Sequence, residues 1–269
     1  MAGKLKSMYL WAVRRPGYLL LAGDGDRLAA EDPKRFAHAW IGLMLLSLGW
    51  GLVCVALWAA AWHLFVDYSR MFFMPVAFVV TGMVLGLYRR ALLALGEAFS
   101  GGDPRAAPLL SCAGVVFLVL VLLGLKTGSG PHYETPLLPA WQWVRPAPMF
   151  RALLLGPLWG GWAMLIVPQF CRPNGRTEPA VAAFATGCGA LVAAGCMGAV
   201  AAATTLYFNY MPWWQLSISG AAIITAILCG VAFCKLNGGL DRRSLLAANL
   251  LTQMVFLSAY LVNRCRAGL

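Results

Sequence analysis

Residues 107–126, APLLSCAGVVFLVLVLLGLK, carry no charge until Lys126 closes the run. Wound as an α-helix, a run of that length rises about 30 Å, which matches the hydrocarbon thickness of a bilayer. Apolar runs of similar character recur at residues 37–65, 72–95, 149–170, 180–207, 214–234 and 244–263. Lipid offers no hydrogen-bonding partner to a backbone amide, so a spanning segment must satisfy itself as a helix or close into a barrel. No alternating barrel pattern is present, and the runs therefore read as helices. The expected fold is all-α, a polytopic transmembrane helical bundle of about seven spans over residues 37–269, preceded by an N-terminal segment of residues 1–36.

Composition points the same way. Of 269 residues, 61% are hydrophobic and 12% charged, about half the charge of an ordinary soluble domain. The net charge of +11 would suggest nucleic acid in a soluble protein. Here the basic residues sit in short connectors with no aromatic-interleaved stripe, so they meet lipid headgroups and nucleic acid is excluded as a partner. The eight cysteines form no Cys-x-x-Cys pair and no Cys/His cluster at metal spacing. Most lie within apolar runs, so neither disulfides nor zinc is indicated.

Basic residues also set the orientation. With the amino terminus inside, 15 of the 21 Lys and Arg residues fall on the inner side and Arg70, Lys126, Arg145, Arg151, Arg264 and Arg266 on the outer. The excess places the amino terminus in the cytoplasm, and the protein is expected in the plasma (inner) membrane. Arg14 and Arg15 interrupt the first apolar stretch, which argues against a cleavable leader and for an amphipathic helix along the inner leaflet.

Within the spans, residues 180–207 are dominated by Gly, Ala and Cys. Gly187, Leu191 and Gly195, with Ala194 and Gly198, present a small-residue stripe that allows close backbone approach, so this span is expected at the centre of the bundle. The connector 127–148 is rich in Pro, Gly and Trp, and Trp141, Trp143, Trp213 and Trp214 suit an outer aromatic belt. His63 and Asp67, one helical turn apart, read as an interfacial pair. The segment SISGA at 217–221 lacks the histidine that a serine nucleophile needs.

The acidic residues are few, and Asp24, Asp26, Glu31, Asp32, Asp103, Glu178 and Asp241 all fall in connectors of the inner side, with Glu97 close to it. Carboxylates beside arginines are what phosphate handling through Mg²⁺ requires. GDGDRLA at 23–29 matches only a fragment of the CDP-alcohol phosphotransferase pattern and reads as chance.

Two stretches of the carboxy-terminal half resemble the cobalamin synthases, the adenosylcobinamide-GDP ribazoletransferases. Residues 152–184, ALLLGPLWGGWAMLIVPQFCRPNGRTEPAVAAF, follow that family's "ALLLAPxxxRWAMVL … ARPxGLGxAF". Residues 238–260, GGLDRRSLLAANLLTQMVFLSAY, follow its "GGLTGDxLGAANELxxLxFLLAL". Upstream, Asp103-Pro104-Arg105 stands where the family has "DSRxGxFG" before a span ending in Lys. The departures are specific. The aspartate-rich "GLHLDGLADTxDG" has no counterpart after Thr81-Gly82, Arg243 occupies the aspartate position of the terminal motif, and Leu250 occupies its glutamate position.

The resemblance implies a transferase that joins α-ribazole 5′-phosphate to adenosylcobinamide-GDP with release of GMP, using Mg²⁺. It implies Asp103 as catalytic and metal-binding residue, Arg105 beside it, and Asp241, Arg242 and Arg243 as substrate-phosphate ligands. The partners so implied are the bilayer, the corrinoid nucleotide and α-ribazole phosphate, with a homo-oligomer left open. The missing carboxylates keep a second reading in play, a degenerate scaffold or corrinoid-binding partner of that family. A third, a small-anion transporter, lacks an interrupted helix pair in the sequence pattern.

Overall fold

The computed structural model describes residues 37–65, 73–100, 103, 105–127, 148–208 and 212–266. The inner-leaflet helix expected within residues 1–36, the four carboxylates of that segment, the connector 128–147, the expected His63–Asp67 pair and the side chains of Trp213 and Trp214 lie outside the described residues.

The chain runs through α1 (Ala39–Leu64), α2 (Phe73–Met83), a wider π-type turn (Val84–Tyr88), α3 (Arg89–Phe99), α4 (Ala106–Thr127), α5 (Pro148–Phe170), α6 (Pro179–Gly187), α7 (Ala190–Tyr207), α8 (Pro212–Asn237) and α9 (Arg242–Arg266). Among the described residues there is no strand. Six helices are long and apolar enough to cross a membrane, with mean hydropathy from 1.5 to 2.6, and the bent pair α2–α3 makes up to seven. The protein is therefore an all-α, multi-pass membrane bundle.

The core sits around α5 and α9. Along α5, 83% of the apolar window is buried, and along α9 67%, against 17% for α7. Trp159 and Trp162 of α5 and Phe256 of α9 are fully buried, with Trp159 edge-on to Trp162 at 5.5 Å and stacked on Phe256 at 6.3 Å. Large rings bury far more area than glycines do, and they fix the centre here. The small-residue span 180–207 is thus peripheral, contrary to the sequence expectation. Gly195 and Gly198 meet nothing that a methyl group would disturb. Only Gly187 of the stripe packs tightly, against the backbone of Ala37. The span is also divided, because the helix breaks at Cys188–Gly189. Indole N–H groups tether α7 to α5: Trp159 donates to Thr204 Oγ1 at 3.0 Å and Trp162 to the Ala193 carbonyl at 2.9 Å.

The expected continuous span 72–95 is likewise broken. Gly86 leaves helical geometry (φ −83°, ψ −129°), and the two limbs are bent by 76°. The missing side chain at Gly86 lets the Trp50 ring pack onto the backbone. Beyond the break, α3 is amphipathic, with Ala91, Leu92, Ala94, Leu95 and Ala98 buried and Arg89, Arg90 and Glu97 exposed. An apolar window averages over such a break, so hydropathy alone reads it as one span.

Candidate functional site

At one end of the bundle, the turn after α5 and the turn before α9 are joined. The Leu240 amide donates to the Arg172 carbonyl (3.1 Å), Asn174 Nδ2 to the Gly238 carbonyl (2.7 Å), and Thr177 Oγ1 to the Leu240 carbonyl (2.6 Å). Within the first turn, Asn174 Oδ1 accepts the Arg176 amide at 2.9 Å and Thr177 Oγ1 accepts the Asn174 amide at 2.8 Å. Gly238 and Gly239, at φ +68° and +155°, occupy backbone conformations that a side chain would strain. Gly239 also lies directly against the Asn174 amide. These turns are the segments CRPNGRTE and NGGLD, the centres of the two stretches that carry the family resemblance.

Asp241 occupies the cap of α9. Its Oδ1 accepts the Ser244 amide at 2.7 Å and the Ser244 hydroxyl, while Asn237 Nδ2 donates to that hydroxyl at 3.0 Å. An acceptor three residues ahead of an exposed helix N–H satisfies a donor that the helix itself leaves open. Asp103 plays the same part for α4: its Oδ1 accepts the Arg105 amide at 2.9 Å, and its carbonyl accepts the Ala107 amide at 3.3 Å. Arg243 Nε lies 3.0 Å from Glu97 Oε2. That ion pair, together with Phe99 against Phe233 (5.3 Å), brings the end of α3, and with it Asp103, to the same end as Asp241. Arg105, Arg172, Arg176 and Arg243 are exposed here and Arg242 is half-buried.

The structure therefore places Asp103, Arg105, Asp241, Arg242 and Arg243 at one end, yet employs the two aspartates in the fold. Among the described residues these carboxylates are engaged with the protein and not gathered around one point. Asp241 and Asp103 each spend an oxygen on helix capping, Glu97 faces a guanidinium, and among the described residues no three of His, Cys, Asp and Glu gather around a common point. Cys171 adds no ready ligand. Burial, with Cys234 and the Asp241 carboxylate nearby, pushes its thiol well above the ordinary range, so it stays protonated.

A second polar cluster lies inside the bundle, and the sequence reading passed over it. The Tyr88 hydroxyl donates to Gln253 Oε1, Gln253 Nε2 to Asn249 Oδ1 at 2.6 Å, and Asn249 Nδ2 to the Met164 sulfur at 3.4 Å. Its signal was present. Asn249 and Gln253 stand four residues apart in an apolar run, hence on one helix face, and polar side chains within a span are rarely idle. Arg151, counted on the outer side at the start of the span 149–170, is buried and donates to the Tyr207 carbonyl at 2.9 Å, a cation at the carboxyl end of α7.

Fold and site together define a polytopic α-helical membrane protein with a basic, loop-knit end and an internal polar chain beside a broken helix. Comparison with family models, with curated proteins and with solved structures matches none.

Proposed function

We propose that this is a membrane protein of cobalamin biosynthesis, of the adenosylcobinamide-GDP ribazoletransferase type, which holds its corrinoid nucleotide by the diphosphate. The observation that carries the reading is the hydrogen-bonded junction of residues 171–178 with 237–241. Two segments that resemble one family's motifs, separated by about sixty residues in the chain, face one another across a cluster of arginines. Guanidinium groups bind phosphate oxygens in a planar, bidentate way. In the transfer implied by the resemblance, a ribazole hydroxyl attacks the phosphorus bonded to the corrinoid, loses its proton, and GMP leaves with the electrons of the broken P–O bond. Arg105, Arg172, Arg176, Arg242 and Arg243 are the cations that this reading assigns to neutralise charge on that phosphate. The inner face of the plasma membrane is the location this reading assigns to the arginine-bearing end.

A second reading, a relative that binds the corrinoid nucleotide without transferring it, is favoured by Arg243 standing against Glu97 where the family carries an aspartate. One experiment treats both. Purified protein in lipid vesicles is given adenosylcobinamide-GDP and α-ribazole 5′-phosphate with Mg²⁺, and both GMP release and equilibrium binding of the GDP conjugate are measured. Product supports transfer; binding without product supports the second reading; neither, under conditions where a cobalamin synthase works, removes both. A small-anion transporter, the third reading, gains one broken span in α2–α3, but the sequence offers it neither an inverted repeat nor a charged mid-span residue.

A further inference from the structure

Arg89 and Arg90 open α3, and both are exposed. Three helix registers set their depth. On α9, Glu97 meets Arg243 and Tyr88 meets Gln253, ten residues farther along, so α3 runs antiparallel to α9 and Tyr88 lies about 15 Å from the arginine-bearing end. On α1, Gly161 packs on Ser47 and Gly51 on Leu154, so α1 starts at the end where α5 finishes. Trp50, packed on Gly86 and 5.8 Å from the Tyr88 ring, stands eleven residues into α1, a rise of about 16 Å. On α4, the Ser111 hydroxyl donates to the Leu92 carbonyl and Ala107 lies against Gly96, which places Arg89 about 12 Å along α4 from its start. A hydrocarbon layer is ~30 Å thick. The backbone of Arg89 and Arg90 therefore lies near its middle, deeper than the inner boundary to which the sequence pattern assigns them.

A guanidinium does not shed its proton in a protein, and a cation at this depth is costly unless an anion or water meets it. The described residues supply no anion here. Glu97 stands with Arg243, and Asp103, Glu178 and Asp241 lie in the turns of the arginine-bearing end. The first turn of α3 holds no acidic residue either. For the same reason the described residues of a second copy would bring no carboxylate to this level. The surroundings are those of a lipid-facing surface: Leu85 before the break, Leu93 on α3, and Val116, Phe117 and Leu120 on α4 are all exposed.

We propose that Arg89 and Arg90 hold the phosphate of an anionic phospholipid, drawn below the surrounding headgroups, with its acyl chains along the exposed apolar side chains of α3 and α4. Guanidinium groups grip phosphate oxygens bidentately. A phospholipid adds the apolar chains that this surface accepts, which inorganic phosphate or a free nucleotide lacks. Thinning of the inner leaflet beside the broken span lets the headgroup descend to this level. The site is separated from the arginines of the turns by the depth given above, and it does not rest on the corrinoid reading.

The test uses the full-length protein in phosphatidylcholine vesicles containing phosphatidylglycerol with a diazirine on its acyl chain next to the headgroup. Photolabelled residues are mapped by mass spectrometry, with unlabelled phosphatidylglycerol or extra phosphatidylcholine as competitor. A lipid at ordinary depth labels the inner boundary, residues 97–109. The bound lipid is expected to label residues 85–93 or 116–120, with competition by phosphatidylglycerol alone. Replacing both arginines, Arg89→Gln with Arg90→Gln, should lower that labelling at least fivefold, on the order of one surface charge's attraction to anionic lipid. The pair Arg172→Gln with Arg176→Gln should leave it unchanged. Labelling confined to the inner boundary overturns the proposal, as does equal competition by phosphatidylcholine or wild-type labelling in the Arg89, Arg90 double variant. Should that variant fail to fold, the position and competition of labelling in the wild type decide alone.

Discussion

Arg243 and Glu97 face each other at 3.0 Å with roughly half of each side chain open to the surroundings, 64% and 43%. An ion pair so exposed contributes little to stability, about 1 kcal/mol at most. Arg243→Ala and Glu97→Gln should each move the unfolding midpoint only slightly, and a double-mutant cycle should return a coupling below about 1 kcal/mol. Their effects on ligand binding should have opposite signs. If Arg243 holds phosphate, its loss weakens binding of the GDP conjugate about tenfold, while Glu97→Gln frees the guanidinium and tightens it. Equilibrium binding on the two variants checks this, and equal weakening would mean that the pair only shapes the loops.

Asp241 serves α9 before it serves any ligand. Replacing it with Ala removes the acceptor for the Ser244 amide and hydroxyl, a loss of about 1 kcal/mol for an N-cap. Asp241→Asn keeps an acceptor oxygen and should recover most of that stability. Thermal unfolding in detergent reads the difference. Binding of the corrinoid nucleotide by Asp241→Asn should be close to wild type, because a carboxylate facing a diphosphate gains nothing electrostatically. A strong loss in the Asn variant would return Asp241 to the role that the family resemblance gives it.

The overall architecture was legible because span length and hydropathy are set by bilayer thickness, and every apolar run maps onto a described helix or helix pair. What averaging over a window conceals was not legible. Gly86 ends one helix and α3 begins another within residues 72–95, and the amphipathic face of α3 is diluted by the apolar α2 ahead of it. The centre of the bundle was misplaced for a related reason. Small residues permit close approach without requiring it, whereas Trp159 and Trp162 must be covered, and their burial puts α5 inside. At the loop end, Asp103, Arg105, Asp241, Arg242 and Arg243 were found together, but capping by Asp103 and Asp241 depends on where the helices begin, which a connector of mixed charges does not announce.

The glycines of 180–207 separate packing from mere permissiveness. Gly187 lies against the Ala37 backbone, which cannot yield as a flexible side chain would. Gly187→Ala should therefore destabilise by about 1–3 kcal/mol, the usual cost of overpacking. Gly195→Ala and Gly198→Ala meet open surroundings and should be neutral or slightly stabilising through helix propensity. Unfolding in mixed micelles orders the three variants. Equal losses at all three would place a partner surface on α7 and restore the close-packing role expected of the stripe.

Tyr88 and Gln253 couple the broken helix to the core. Tyr88→Phe leaves Gln253 Oε1 without its donor, and Gln253→Leu removes an acceptor from Tyr88 and a donor from Asn249. An unsatisfied buried group costs about 1–3 kcal/mol in general. Between helices in lipid the measured range is lower, because the dissociated helices find other partners, and about 0.6–2 kcal/mol is expected here. The double variant should cost less than the two singles combined by that amount, since Phe and Leu can pack where hydroxyl and amide were paired. Amide hydrogen exchange at the 84–88 turn gives an independent readout: if the hydrogen bond pins the break against α9, Tyr88→Phe speeds exchange there while exchange at the loop end is unchanged. Additive single effects with unaltered exchange would mean that the Trp50 ring on Gly86, and not the Tyr88 hydroxyl, holds the kink.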